Sequence, residues 1–412
     1  MLAGLSAASM DESERSTDIS MEELSALVET AGGETAGIVL QNLPSPNPRS
    51  FLGEGKVSEI REFIKAQECT MLVVDNELSP SQMRVLSEDL DVKVLDRSGL
   101  ILDIFSQRAQ TREGQLQVEL AQYKYLLPRL TGMWKHLVRQ TASSAPIGTR
   151  GPGETQLESD RRHIRRKISK LETELETVRK VRGTQRHRRE KNAVPVVALV
   201  GYTNAGKSTL LNNLTGSEIH TGDRLFDTLD TTTRKLRIDD TQEVLISDTV
   251  GFIRKLPHHL VEAFKATLEE LTFADVLLHV IDISSEDWPQ QAAIVEQLIN
   301  QLGASHTPCI RVFNKCDAYL GELPRGKDLV CVSARTGEGT SELMKAVAEI
   351  VNQGKRRVSL KLPYDKGDIL PLLHREAAVT EVSYEEDGIA VSAIVKPELW
   401  GTVQDYCVNI EH

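Results

Sequence analysis

Gly201-Tyr-Thr-Asn-Ala-Gly-Lys-Ser208 has the spacing G-x-x-x-x-G-K-[ST], and its surroundings decide what that spacing means. Before it runs Val194-Pro-Val-Val-Ala-Leu-Val200, an apolar stretch of strand length. After it, Thr209-Leu-Leu-Asn-Asn-Leu-Thr215 opens a helix. Strand, glycine-rich loop and helix turn the pattern into a phosphate cradle. Loop N–H groups and the positive end of the helix face the phosphates, and Gly201 and Gly206 permit the backbone this needs. Lys207 is predicted to reach the β- and γ-phosphates, and the Ser208 hydroxyl to hold Mg²⁺. The expected cradle is Gly201, Tyr202, Thr203, Asn204, Ala205, Gly206, Lys207, Ser208 and Thr209.

Three further motifs follow, each at the end of an apolar run. Val244-Leu-Ile-Ser-Asp248 leads into Asp248-Thr249-Val250-Gly251. There Asp248 can hold Mg²⁺ through water, and Gly251 leaves its N–H free for the γ-phosphate. Pro308-Cys-Ile-Arg-Val-Phe313 ends in Asn314-Lys315-Cys316-Asp317. A carboxylate at Asp317 accepts from the N1–H and 2-amino group that guanine has and adenine lacks. Asn314 and the Lys315 stem are predicted to support the base. Val330-Cys-Val leads into Ser333-Ala334-Arg335, where the Ala334 N–H is placed to donate to the guanine carbonyl. In this order the motifs predict a P-loop GTPase domain over residues 193–354, a mostly parallel sheet flanked by helices that binds GTP or GDP with Mg²⁺.

Catalysis has a gap in this reading. Phe252 follows Gly251 where many GTPases carry a glutamine that orients the attacking water, so a partner or another polar group must complete the site. Asn204 is a candidate K⁺ ligand, the alternative being that it only shapes the loop. His258 and His259 read as part of a mobile switch helix and not as a catalytic base. Asp223 to Arg237 reads as a polar, Thr-rich loop.

With 412 residues the chain exceeds one typical core. No apolar run approaches the ~20 residues that span a bilayer, and Met1-Leu-Ala-Gly-Leu5 is no signal peptide. The five scattered cysteines fit thiols in a reducing cytoplasm. A net charge of −11 argues against indiscriminate nucleic-acid binding. Residues 1–110 alternate short apolar runs with helical segments and predict a small α/β subdomain. Asp75 and Asp96 fall at strand ends there, as helix caps or functional groups. Over residues 111–192, Leu116, Leu120, Tyr123, Leu127, Leu130, Trp134 and Leu137 step by four and three, as do Ile164, Ile168, Leu171, Leu175 and Val178. Two such series predict a long antiparallel helical hairpin, kinked at Pro128. Its connection, Ala142 to Gly153, is too rich in Gly, Pro and Ser for regular structure. Arg150, Gly151, Pro152 and Gly153 there, with Arg161, Arg162, Arg165 and Arg166 beyond, form the candidate RNA contact. Residues 355–412 predict a small C-terminal α/β domain in which Trp400 serves core or contact surface.

Several stretches carry a resemblance. They are Gly53-Glu-Gly-Lys-Val-Ser-Glu-Ile60, Val94-Leu-Asp-Arg-Ser-Gly-Leu-Ile-Leu-Asp-Ile-Phe105, Gln117-Val-Glu-Leu-Ala121, Gly148-Thr-Arg-Gly-Pro-Gly-Glu-Thr155, Asp160-Arg-Arg162 and Asp248-Thr-Val-Gly-Phe-Ile-Arg254. Across nearly its whole length the chain resembles the HflX family of translational GTPases, the Gly-Thr-Arg-Gly-Pro-Gly-Glu stretch being most specific. The chain is expected to be cytoplasmic and, because its hairpin needs no second copy, monomeric. The resemblance implies a protein that binds the large ribosomal subunit, with the amino-terminal α/β unit and hairpin reaching towards 23S rRNA near the peptidyl-transferase region. It implies that stalled or idle ribosomes are split or rescued under stress. It also assigns Mg²⁺ coordination to Thr228, with Thr232 as the fallback. The sequence departs from the family pattern at the longer Thr141-Ala-Ser-Ser-Ala-Pro146 and at Thr231, where proline is expected. Two rivals stay open: an assembly GTPase of the Obg or Era kind, and a non-catalytic RNA-binding anti-association factor.

Overall fold

A computed structural model describes residues 1–133, 152–191, 194–217, 225–226, 232–238, 243–256, 271–352, 356–366, 368–385, 387–395 and 397–411. The amino-terminal elements are β1 (Leu2–Ala7), α1 (Asp18–Thr30), β2 (Ile38–Leu43), α2 (Glu54–Ala66), β3 (Met71–Val74), α3 (Pro80–Leu90), β4 (Lys93–Asp96) and α4 (Arg97–Arg108). Their strands form a parallel sheet in the order β2-β1-β3-β4. Ser79 caps α3 with Pro80 at its first position, and Gln82 completes the capping box. Asp96 caps α4 through the Gly99 N–H at 2.8 Å. The same carboxylate accepts from Tyr125 Oη at 2.7 Å and Arg129 Nη2 at 3.0 Å, so it also fastens the next helix to the sheet.

That helix is α5 (Arg112–Met133), and α6 (Pro152–Lys191) runs back along it. Leu116 and Leu120 bury against Leu171 and Leu175, with Tyr123, Ile168 and Val178 beside them. Each buried leucine on this seam contributes about 2 kcal/mol. Ion pairs Arg112–Glu174 at 2.9 Å and Lys124–Glu172 at 2.9 Å show the antiparallel register, although exposed pairs add little stability. The connecting stretch read as irregular to Gly153 instead becomes helix at Pro152. Proline suits a first helical position, where its missing N–H costs nothing. Trp134, Leu137, Arg150 and Gly151 lie outside the described residues.

The third group comprises β5 (Val196–Gly201), α7 (Lys207–Thr215), β6 (Thr232–Arg237), β7 (Glu243–Asp248), β8 (Val276–Asp282), α8 (Trp288–Gln301), β9 (Cys309–Asn314), β10 (Leu329–Cys331) and α9 (Thr340–Asn352). Its six strands are ordered β10-β9-β8-β5-β7-β6, parallel except for the edge strand β6. The Thr-rich stretch read as loop to Arg237 thus ends in a strand, because β-branched residues pair well along an exposed edge. The last group is an antiparallel sheet, order β12-β13-β11-β14, from β11 (Arg356–Leu362), β12 (Ala378–Glu385), β13 (Gly388–Val395) and β14 (Cys407–Glu411). Helices α10 (Ile369–Glu376) and α11 (Pro397–Val403) cover it, and Trp400 packs half-buried against that core. No described helix is long and apolar enough to cross a membrane, and all five cysteines are free thiols.

Candidate functional site

The site lies at the carboxyl ends of β5, β7 and β9, where open α/β sheets bind ligands. Between β5 and α7 the loop bends sharply, with Asn204 at φ 60° and Gly206 at φ 88°. A Cβ on Gly206 would come within 2.3 Å of Asn314 Nδ2, and one on Gly201 within 2.3 Å of the Val280 carbonyl oxygen. One glycine is therefore required by torsion and contact, the other by contact alone. Gly206→Ala should weaken GDP binding at least tenfold, because the loop must shift to admit the methyl group. A fluorescent-GDP titration beside a melting curve checks this; wild-type affinity in a folded variant would refute it.

Lys207 is buried at the foot of the loop. Its Nζ donates to the Tyr202 carbonyl at 2.7 Å and the Gly201 carbonyl at 3.1 Å. Burial pushes its pKa down to about 8, against the opposing pull of Asp248. Ser208 Oγ donates to Asp248 Oδ2 at 2.6 Å. A hydroxyl and a carboxylate in contact are hard oxygen donors of the kind Mg²⁺ takes, so the residues present fit the ion. Thr249 Oγ1 donates to the Leu199 carbonyl at 2.6 Å and fixes the turn after β7. The phosphate loop is then stitched to the segment beyond Gly251: Thr203 N–H donates to the Phe252 carbonyl at 2.7 Å, and Phe252 N–H to Gly201 at 3.1 Å. A Cβ on Gly251 would lie 2.9 Å from the Thr203 Cα and 3.1 Å from Lys207 Nζ. Only glycine leaves room there. Val250 and Phe252 are buried in the apolar core.

The base-recognition end is tied to the same loop. Asn314 Nδ2 donates to the Ala205 carbonyl at 2.8 Å, and Asn314 Oδ1 accepts from the Ala334 N–H at 2.9 Å. Asn314 and the Ala334 N–H, the groups expected at the base, are thus joined to each other and to the phosphate loop. A buried amide needs its donors and acceptors satisfied, and Asn314 meets that need by joining the two loops. Lys315, at φ 62°, pairs its Nζ with Asp282 Oδ2 at 2.7 Å. Asp317 stands exposed on the following short turn. Ser333 is buried, its Oγ accepting from the Thr336 N–H at 3.2 Å, and Arg335 is exposed. Thr209 continues α7. Thr228, His258 and His259 lie outside the described residues, whereas Thr232 is paired with Asp248 across β6 and β7.

Sequence reasoning missed a second layer. Tyr202, inside the phosphate loop, gives its hydroxyl to Glu23 of α1 at 3.0 Å. Phe226 sets its ring edge-on to Phe105 of α4, with centroids 4.7 Å apart. Glu23 belongs to no motif, and only the strand-end position of Asp75 hinted at this region.

Four loops at the carboxyl ends of a mostly parallel sheet, one of them a phosphate cradle, define a P-loop GTPase. Residues 18–106 match the family described as GTP-binding GTPase N-terminal, residues 108–189 its Middle Region, and residues 196–315 the 50S ribosome-binding GTPase family. The chain is 46% identical over 390 residues to the GTPase HflX of Caldanaerobacter subterraneus subsp. tengcongensis, covering 94% of this chain and 90% of that one. To the GTPase HflX of Escherichia coli (strain K12) it is 43% identical over 375 residues, covering 89% and 87%. The chain belongs to the HflX family, and GTP hydrolysis is its activity. A GTP-binding protein from Sulfolobus solfataricus, solved in complex with GDP, aligns with 25% identity and a TM-score of 0.44 over 85% of this chain and 99% of that one.

Proposed function

We propose that this GTPase works on the large ribosomal subunit, splitting or rescuing stalled and idle ribosomes, with GTP binding favouring the bound state and hydrolysis releasing it. One observation carries the reading: a long two-helix hairpin presents exposed arginines, Arg162, Arg165 and Arg166, with Arg161 half-buried beside them, on a chain whose net charge is −11. Such a concentration on an acidic protein suits a phosphate backbone. The Gly-Pro-rich stretch, with Arg150 and Gly151 ahead of α6 and Pro152 and Gly153 at its start, would contact 23S rRNA near the peptidyl-transferase region. The units divide near residues 110, 192 and 354, and the protein works as a cytoplasmic monomer.

Within the nucleotide site, Lys207 and Gly251 bind the γ-phosphate, and Ser208, Asp248 and Thr228 hold Mg²⁺. That ion would neutralise phosphate charge. Asn204, exposed in the phosphate loop at φ 60°, would take K⁺. Phe252 is 1% exposed in an apolar core and cannot orient water. Hydrolysis is therefore slow alone and completed by the ribosome.

The test measures GTP hydrolysis with and without purified large subunits, in K⁺ and in Na⁺ buffer. At least tenfold stimulation is expected, larger in K⁺, together with weaker subunit binding by Arg150→Ala. An unchanged rate despite confirmed binding would sink the coupling of hydrolysis to release and favour the passive RNA-binding factor. Stimulation by immature but not mature subunits would favour the assembly GTPase.

A further inference from the structure

Most of the polar side chains described around Gly251 are already engaged. Lys207 Nζ donates to the Gly201 and Tyr202 carbonyls. Ser208 Oγ donates to Asp248, and Thr249 Oγ1 to the Leu199 carbonyl. The Tyr202 hydroxyl is given to Glu23. Thr203 differs. The residue is 6% exposed, and its Oγ1 is sealed from solvent with no hydrogen-bond partner among the described residues. Buried hydroxyls are normally paired, because an unpaired one bears the whole cost of leaving water. Inside a phosphate loop, an unpaired hydroxyl points to a partner that arrives with the substrate.

The place of Thr203 decides what that partner is. A Cβ on Gly251 would lie 2.9 Å from both the Thr203 Cα and its Cγ2, and 3.1 Å from Lys207 Nζ. The threonine, the lysine ammonium and the glycine placed to meet the γ-phosphate therefore border one small space. The backbone fixes Thr203 there, its N–H donating to the Phe252 carbonyl at 2.7 Å. Phe252 itself is apolar and 1% exposed, so the side chain after Gly251 brings no polar atom to that space. Thr203 brings one. A hydroxyl carries one donor and two acceptor lone pairs. It can accept a hydrogen bond from one water while giving its own hydrogen to a neighbouring phosphate oxygen. Phosphoryl transfer asks chiefly for positioning and charge stabilisation, and a neutral hydroxyl can supply the first.

We propose that the Thr203 hydroxyl orients the attacking water in GTP hydrolysis, the task that a glutamine after Gly251 performs in many GTPases. The water oxygen bonds the γ-phosphorus as the bond from that phosphorus to the bridging oxygen breaks. The electron pair of that bond leaves with GDP, and the water's proton ends on the released phosphate. Thr203 keeps its own proton and fixes the line of attack. Hydrolysis by the isolated protein then rests on this hydroxyl. No ribosome enters the test, so its failure leaves the ribosomal reading standing.

The experiment follows single-turnover GTP hydrolysis by the full-length protein at saturating concentrations, in wild type, Thr203→Val, Thr203→Ala and Thr203→Ser. Dissociation constants for GDP are measured beside it. Valine keeps the shape of threonine and loses the hydroxyl. Alanine loses it without adding a methyl group, and stays informative should valine disturb the loop. Both should hydrolyse GTP roughly ten- to a hundredfold more slowly, at or below the usual cost of one preorganised transition-state donor. GDP has no γ-phosphate, so its affinity should stay within about twofold of wild type in both variants. Serine restores the hydroxyl and should bring the rate back to within about threefold. A variant that merely loosens the loop weakens GDP binding as well, and serine does not rescue it. A wild-type rate without the hydroxyl, a matching loss of GDP affinity, or serine as slow as alanine would each overturn the proposal.

Discussion

Lys207→Ala should lower affinity for GTP by two to three orders of magnitude while leaving the nucleotide-free protein at least as stable as wild type. The binding loss follows from charge-assisted hydrogen bonds to phosphate, each worth about 1.5–3 kcal/mol. The stability sign follows from burial. Lys207 has its pKa pushed down to about 8 by desolvation, against an ordinary value near 10.4. A base whose folded pKa lies below its unfolded one holds its proton in the fold at a cost. That cost is present in full below pH 8 and fades as pH rises toward 10.4. At neutral pH it amounts to roughly 3 kcal/mol, offset by the two carbonyl bonds the ammonium makes and by the cavity alanine leaves. Titration calorimetry with a GTP analogue and a melting curve without nucleotide read the two halves separately. A melting temperature several degrees lower, with GTP affinity intact, would make Lys207 a structural lysine. Full activity in a folded Lys207→Ala protein would instead support a factor for which nucleotide is only a structural ligand.

That cradle was legible in the sequence because its chemistry fixes its spacing. Backbone N–H groups, a lysine and a hydroxyl must converge on one phosphate chain, so Gly201, Gly206, Lys207 and Ser208 cannot drift apart along the loop. The hairpin was legible for a similar reason: Leu116 and Leu120 meet Leu171 and Leu175 only at heptad spacing. Tyr202 shows where legibility stops. Its position inside the motif suggested phosphate contact, yet its hydroxyl meets a carboxylate 179 residues away. Glu23 sits on an ordinary amphipathic helix, and nothing local marks it as different from its exposed neighbour Glu22. Asp75 and Asp96 were both flagged as strand-end carboxylates and diverged in use. Asp96 caps a helix, and Asp75 anchors an ionic chain that reaches another part of the protein. Asn314 is expected at the base from its motif; that it also clasps two loops follows from its burial, which cannot be read from a four-residue pattern. Polar Thr232 to Arg237 looked like loop because an edge strand with one wet face needs few apolar residues.

Asp317→Asn should change which base the site accepts. Asp317 stands exposed on a short turn whose start is fixed by Lys315 pairing with Asp282, so the substitution costs the fold no more than about 0.5 kcal/mol. Two carboxylate oxygens can accept from both the N1–H and the 2-amino group of guanine. Asparagine keeps one acceptor and turns the other position into a donor, which then faces the 2-amino group donor to donor. Sites built to hydrogen-bond a substrate reject a mismatched partner strongly, because desolvated polar groups are left unpaired. GTP affinity should fall by about two orders of magnitude. Xanthine carries N1–H and a carbonyl at position 2, the complement of an amide, so xanthosine triphosphate should bind the variant more tightly than GTP does. Competition of both nucleotides against a fluorescent GDP analogue decides it. Tight GTP binding with no gain for xanthosine triphosphate would mean that the base is read elsewhere, and the coupling of Asn314 to the phosphate loop would no longer link base choice to the cradle.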